Sequence, residues 1–251
     1  MSRSENSLDT KAVLITGGAR RIGATIARVL HTAGMDVIVH YRHSADAALA
    51  LQEELHAHRP GSVTLCQADL TNSGACETLT QCAHQAFGRL DALINNASAF
   101  YPTPVDRATE AQWEDLFAVN LKAPFFLAQA CAPMLAMHNG AIINLADIYA
   151  KRPLPQHPIY SAAKAGLISL TRSLARDLGP DIRVNAIAPG AVLWPETRIS
   201  DENRDEIVQR TPLRRLGRPE DIARTVCFLL QDAPFITGQV INVDGGRSAV
   251  L

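Results

Sequence analysis

Seven short runs rich in Val, Ile and Leu constrain this chain more than any other feature. They fall at 12–16, 36–41, 63–67, 91–95, 141–145, 182–187 and 239–243, without regular polar alternation. An unbroken apolar run marks a strand covered on both faces, whereas a strand with one wet face alternates. Helical stretches separate the runs. After the first, Ile22, Ile26, Ala27, Val29, Leu30 and Ala33 recur at helical spacing, and Gly34 is placed to end the helix. Further helices are read near 45–58, 73–87, 110–137, 158–178 and 219–231. Strand and helix in strict alternation predict an α/β fold, a doubly wound parallel sheet with helices on both faces.

The chain of 251 residues suits one such domain, and no linker, repeat or low-complexity segment divides it. Residues 1–10 are expected to be a flexible N-terminal segment. Residues 191–210, long and charged with Trp194 near their start, are read as a lid over the substrate. A net charge of −1 gives no field that would favour nucleic acid or an anionic membrane. The stretch 123–137 is too short to span a bilayer and contains Pro124 and Pro133. Five cysteines, an odd number with no Cys-x-x-Cys pair, argue against a disulfide framework. The polar first eleven residues show no signal peptide, so a cytoplasmic location is expected. The scattered histidines suggest no metal site.

In open parallel sheets, ligands bind outside the carboxyl ends of the strands, and the unusual residues collect there. Gly17, Gly18, Arg20, Arg21 and Gly23 follow the first strand; Tyr41, Arg42 and Ser44 the second; Asp69 the third. Asn95, Asn96, Ala97 and Ser98 follow the fourth, Asp147 the fifth, and Pro189 with Gly190 the sixth. Glycines in the first turn would let backbone N–H groups approach a pyrophosphate at a helix N-terminus. An acidic residue after the second strand would hold the ribose hydroxyls of NAD; Arg42 and Ser44 there, with Arg20, suit a 2′-phosphate, so NADPH/NADP+ is the expected cofactor. Tyr160 and Lys164 are four residues apart on a predicted helix and share a face. An ammonium beside a phenol would lower its pKa and let it serve as a general acid.

With these residues in place, the chain resembles the short-chain dehydrogenase/reductase family from about Lys11 to Val243, and the fold expected is of Rossmann type. The shared pieces are the glycine turn, Asp69, Asn95-Asn-Ala-Ser98, Asn120, Tyr160-Ser-Ala-Ala-Lys164, Pro189-Gly190 and Val243-Asp-Gly-Gly246. The resemblance implies that Asp69 meets the adenine and that Asn95 shapes the cofactor site. It further implies that Ile22, Leu70, Asn96, Ala97, Pro189, Gly190 and Val192 line that site. Tyr160 would be the acid, Lys164 would also hold the nicotinamide ribose, and Asn120 would support a proton relay through Lys164.

Three departures stand out: Arg21 at the middle glycine, Ser98 at the usual final glycine of Asn-Asn-Ala-Gly, and Asp147 in the region of the carbonyl-binding serine. All three resemble pteridine reductases, as does the run Ser98-Ala-Phe-Tyr-Pro-Thr-Pro104. By that resemblance a pterin or folate would be the substrate. Phe100 would stack on it, though Tyr101 is equally aromatic, and Arg21 and Ser98 would touch both pterin and cofactor phosphate. Asp147 would partner Tyr160, and Trp194 would wall the pocket. A flat ring rich in donors and acceptors suits an aromatic face with polar groups at its edge. The rival expectations are a carbonyl reductase, such as one for 3-oxoacyl thioesters, and a non-catalytic NADPH-binding protein. Apolar helices at 120–137 and 158–178, together with the resemblance, imply a homotetramer.

Overall fold

The computed structural model describes residues 7–193 and 201–250. Seven strands, β1 (Ala12–Ile15), β2 (Asp36–Tyr41), β3 (Val63–Gln67), β4 (Ala92–Asn95), β5 (Ala141–Leu145), β6 (Arg183–Pro189) and β7 (Val240–Val243), form one sheet in the order β3-β2-β1-β4-β5-β6-β7. Every neighbouring pair is parallel. The helices are α1 (Arg21–Thr32), α2 (Ala45–His58), α3 (Ala75–Phe87), α4 (Glu110–Phe117), α5 (Ala123–Ala136), α6 (Pro158–Asp177), α7 (Asp201–Gln209), α8 (Pro219–Gln231) and α9 (Arg247–Val250).

Alternate residues of one strand serve opposite cores. Val13 and Ile15 of β1 pack with α1, α2 and α8, while Ala12 and Leu14 pack with α3, α5 and α6. All four are fully buried, which is why no polar residue interrupts the run. The chain order reverses between β1 and β4, where the connections leave on opposite sides and a crevice opens at the carboxyl ends.

Two sequence expectations need correction. The single helix expected over 110–137 is two helices joined by a π-helical turn at Ala118–Lys122. Asn120, inside that turn, bonds the backbone carbonyl of Leu116 with its side chain, so the break is satisfied locally. The segment 191–210 is not all loop, because α7 occupies its second half and Arg247 donates to the Ile207 carbonyl at 3.0 Å. Of the N-terminal segment, Leu8 is buried and Thr10 donates its N–H to the Gly34 carbonyl. Gly34 itself has φ +103°, the left-handed position that stops α1. Among the described residues no helix is long and apolar enough to cross a membrane.

Candidate active site

A cavity of about 470 Å³ opens at the switch point, over the carboxyl ends of β1, β2, β3 and β4. Gly17, Arg20, Arg21, Ile22, Arg42, Asp69, Leu70, Asn96, Ala97 and Ser98, all among the sequence candidates, line it. The glycine turn is tight for a physical reason. A Cβ on Gly23 would lie 2.3 Å from the Gly17 carbonyl oxygen and 2.7 Å from the Asn96 amide nitrogen. That amide nitrogen donates to the carbonyls of Thr16 and Gly17, pinning the turn to the end of β4. Arg21, where the family resemblance expects glycine, has φ +53°, a left-handed conformation costing a non-glycine residue about 1–2 kcal/mol.

His40 also lines the cavity, a role that sequence reasoning missed. Its Nδ1 accepts the Gly17 N–H at 3.1 Å and its Nε2 faces the Ala68 carbonyl at 3.1 Å. Burial lowers its pKa, which favours the neutral tautomer that both contacts require. A histidine inside an apolar strand carries no motif; only the strand order brings β1 and β3 to either side of it.

The other expected cofactor residues lie apart from the cavity wall. Tyr41 packs at the edge of one core, and Ser44 precedes α2. Val192 is buried in that same core. Pro189 ends β6, and Gly190 passes so close to Asp244 that a Cβ would sit 2.7 Å from its Cα. Arg42 is half exposed and stands 3.9 Å from Asp69, whose carboxylate is held below its usual range chiefly by hydrogen bonds from Thr71.

Beside the cavity the titratable groups converge. Tyr160, near the start of α6, donates its hydroxyl to Asp147 Oδ2 at 2.7 Å. Asp147 Oδ1 accepts the Tyr149 N–H at 2.9 Å, so the carboxylate also caps the short 3₁₀ turn after β5. Lys164, one turn along α6, is buried and donates to the Leu145 carbonyl at 2.8 Å. Burial draws its pKa down to about 8, against the pull of Asp147. Burial likewise raises Asp147. Tyr160 is pushed well above the usual phenol range by burial and then by the Asp147 charge, while the neighbouring Ser98 pulls it weakly the other way. The expectation that Lys164 lowers the phenol's pKa is therefore corrected: with the phenol buried and Asp147 in contact, the net direction is upward.

Ser98 donates to Asn120 Oδ1 at 2.7 Å, and the Asn120 amide donates to the Ala99 and Leu116 carbonyls. Asn120 and Lys164 thus use different partners, and the relay expected between them is not a direct contact. Phe100 stacks on the His157 ring at 4.7 Å and meets Tyr160 edge-on at 4.8 Å. Tyr101 turns away and donates to Asp115 at 2.7 Å, so Phe100 is the aromatic at this site. Trp194 lies outside the described residues. Among those residues no group of three or more His, Cys, Asp or Glu could hold a metal.

A glycine cradle at a sheet switch point beside a Tyr160–Lys164 pair defines an oxidoreductase of the short-chain type. A family model described as enoyl-(acyl carrier protein) reductase matches residues 17–248. The chain belongs to the short-chain dehydrogenase/reductase family. It is 39% identical over 241 residues to a 3-oxoacyl-[acyl-carrier-protein] reductase FabG of Staphylococcus aureus, covering 94% of this chain and 98% of the relative. The 3-oxoacyl-[acyl-carrier-protein] reductase of Synechocystis is 36% identical, covering 96% and 98%. An uncharacterized oxidoreductase of Methylorubrum extorquens is 35% identical, covering 96% and 99%.

These relatives overturn the expectation of a pteridine reductase, and with it the pterin or folate substrate and the place in folate metabolism. That expectation rested on a few positions, Arg21, Ser98, Phe100 and Asp147, whereas the likeness to 3-oxoacyl reductases extends over nearly the whole chain.

Proposed function

We propose that this protein is an NADPH-dependent carbonyl reductase that converts a 3-oxoacyl thioester to its 3-hydroxy form. The observation that carries this reading is the likeness to 3-oxoacyl reductases over nearly the whole chain; the hydrogen-bonded Asp147–Tyr160 pair, with Lys164 buried near it, offers the proton donor such a reduction needs. The 3-oxoacyl reductases among its relatives supply the substrate class. The cradle residues fit the cofactor: Gly17 and Gly23 keep the turn tight at the cavity wall where a pyrophosphate would lie, and Arg20 and Arg42 suit a 2′-phosphate. Asp69 and Leu70 would take the adenine, and Lys164 the nicotinamide ribose. When bound, NADPH supplies the hydride.

The proton is this chain's part. As the substrate carbonyl carbon is reduced, its oxygen becomes an alkoxide, and the Tyr160 hydroxyl protonates it. A phenolate 2.7 Å from an ionised Asp147 would be opposed by like charge. In the working state, therefore, Asp147 holds a proton: it donates to Tyr160, leaves the phenol hydrogen free for the substrate, and returns a proton to the phenolate afterwards. The upward direction of the Asp147 pKa supports this assignment. Ser98, which donates to Asn120, adjoins the phenol.

The test is oxidation of NADPH by an acetoacetyl thioester, with NADH as control and dihydropterin as comparison. Turnover of the thioester with NADPH is expected. Turnover of the dihydropterin alone would overturn the substrate class.

A pH dependence follows. The rate of reduction is expected to fall as pH rises through the elevated Asp147 pKa, because the proton-holding form is lost. It is expected to fall again above about 8 as Lys164 loses its charge. Asp147→Asn cannot titrate, so the Asp147 step disappears from its kcat profile while the Lys164 step remains, moved downward because the carboxylate that raised it is gone. An unchanged two-step profile in the variant would remove Asp147 from the proton path.

The homotetramer remains a proposal. The helix face carrying Trp113, Phe125 and Phe126 leaves these rings 46%, 37% and 42% exposed, and a groove lined by Phe117, Leu121 and Leu170 runs beside it. Light scattering at micromolar concentration should give about four times the 27.1 kDa chain mass. A monomer would refute it.

A further inference from the structure

The end of β2 grips the glycine turn through His40. This residue is 2% exposed and lies in the wall of the cavity at the switch point. Its backbone carbonyl accepts the Gly18 N–H at 2.9 Å, and its Nδ1 accepts the Gly17 N–H at 3.1 Å. On the other side its Nε2 meets the Ala68 carbonyl at 3.1 Å. Strand order makes this possible: β2 lies between β1 and β3, so one residue of β2 reaches the segment that leaves each neighbour. Asp69 and Leu70 follow Ala68 and line the same cavity.

The two partners fix the ring's chemistry. A peptide N–H only donates and a carbonyl only accepts, so Nδ1 is bare and Nε2 carries the hydrogen. That is one neutral tautomer. A second proton would set the Nδ1 hydrogen against the Gly17 N–H, donor facing donor, and the turn or the ring would have to move.

We propose that His40 is a positioning residue of the cofactor site: as a neutral ring it fixes the distance between the glycine turn, where the pyrophosphate would lie, and the Asp69–Leu70 wall, where the adenine would lie, a role that rests on the cofactor reading above. A ligand held at several points binds tightly when those points already stand at its own span. Losing either His40 contact lets the two walls drift, so NADPH and NADP+ bind more weakly.

The groups around the ring decide what a proton does there. Burial disfavours the charged ring and outweighs the pull of the Ala68 carbonyl and of Asp69 at the end of β3, so the His40 pKa is lowered. Arg42 from β2 stands 3.9 Å from Asp69, His43 acts on that same carboxylate, and Arg20 and Arg21 from the turn line the cavity. Cys66 lies in register with His40 on β3, and Asn96, from the end of β4, is uncharged. The phosphates of the cofactor would attract a charged ring, but that pull is screened by salt, whereas the loss of the Gly17 contact is direct. Acidification therefore weakens binding.

The experiment titrates the full-length protein with NADP+ by calorimetry between about pH 8 and about pH 5, a range that brackets the ordinary histidine value of about 6.5. Three variants separate the contacts. In His40→Asn the side-chain oxygen takes the place of Nδ1 and accepts the Gly17 N–H. In His40→Gln the longer amide donates to the Ala68 carbonyl, and His40→Leu fills the space and makes neither bond. At the alkaline end His40→Leu should bind NADP+ about tenfold more weakly than the parent, or about 1.4 kcal/mol, with the two amide variants between. On acidification the parent's affinity should fall towards that of His40→Asn, which does not titrate; the ratio of the two cancels the titration of the cofactor's own 2′-phosphate. Without cofactor, the Gly17 amide should exchange its hydrogen faster in His40→Gln and His40→Leu than in the parent or His40→Asn. If His40→Leu does not fold, the pH ratio and the Gly17 exchange of the amide variants carry the test. An affinity of His40→Leu equal to the parent's, a parent-to-Asn ratio that stays constant or rises on acidification, or equal Gly17 exchange in all variants would overturn the proposal and leave the cofactor reading standing. Failure of the parent itself to bind NADP+ would overturn both.

Discussion

Tyr160→Phe is expected to lower kcat for thioester reduction by about 10²–10⁴-fold, the usual worth of a positioned general acid. That range corresponds to about 3–5 kcal/mol of barrier. The ring remains, so its edge contact with Phe100 and its place in α6 survive. The proton donor is lost, and Asp147 Oδ2 loses the hydrogen bond it accepted at 2.7 Å. Removing a partner from a buried polar group costs about 1–3 kcal/mol, and each kcal/mol lowers Tm by about 2–4 °C in a domain of this size. The variant should melt several degrees early yet be folded at 25 °C, and it should still bind NADPH, since the cradle lies on the other side of Ser98. Steady-state kinetics beside a thermal melt and an NADPH titration separates these effects. A folded variant that retains most of its kcat would mean that the proton comes from elsewhere, and the role given to the Asp147–Tyr160 pair would fall with it.

The sheet was legible because its inner strands are buried on both faces, whereas the edge strands β3 and β7 are only partly covered. Such inner strands are nearly all apolar, so the apolar runs match the observed strands to within a residue or two at most ends. The π-turn at Ala118–Lys122 was not legible. Adding one residue to a helical turn shifts the hydrogen-bond ladder without disturbing the apolar pattern across 110–137, and only Asn120, a polar residue in an apolar stretch, hinted at it. The charged helix α7 was hidden for a related reason: its mean hydropathy is low, so periodicity had little to mark.

The site was partly legible. Motif residues at strand ends converge because the topology carries strand ends together, and Gly17, Asn96 and Ser98 do line one cavity. What spacing could not give was the sign of an interaction. Tyr160 and Lys164 at four residues apart suggest a lowered phenol pKa, and Asp147 thirteen residues upstream suggests an opposing charge; burial, which spacing does not report, is the largest cause and sets the direction upward together with Asp147. The same carboxylate misdirected the substrate reading. A few unusual residues were set against a whole-chain likeness, and the likeness, spread over both cores and the cradle, carried more information.

Gly23→Ala tests whether the cradle is what it is taken to be. The added methyl would stand 2.3 Å from the Gly17 carbonyl oxygen, 2.7 Å from the Asn96 amide nitrogen and 3.0 Å from Gly18 Cα. Two of these are backbone atoms of the turn itself, so no side chain can swing aside to relieve them. The turn must shift, and the two bonds from Asn96 to Thr16 and Gly17 must lengthen or break. Overpacking of this kind costs about 1–3 kcal/mol or more, so Tm should fall by roughly 2–12 °C at about 2–4 °C per kcal/mol. NADPH affinity should drop by at least about tenfold, or about 1.4 kcal/mol. Gly166→Ala is the matched control. Its Cβ would meet the Leu121 side chain at 2.9 Å, the movable end of a flexible group. Alanine also favours a helix over glycine by about 1 kcal/mol, so that variant should keep its Tm and its affinity. If Gly23→Ala bound NADPH as tightly as the parent, the glycine turn would not be the pyrophosphate site, and the cofactor would have to lie elsewhere in the crevice.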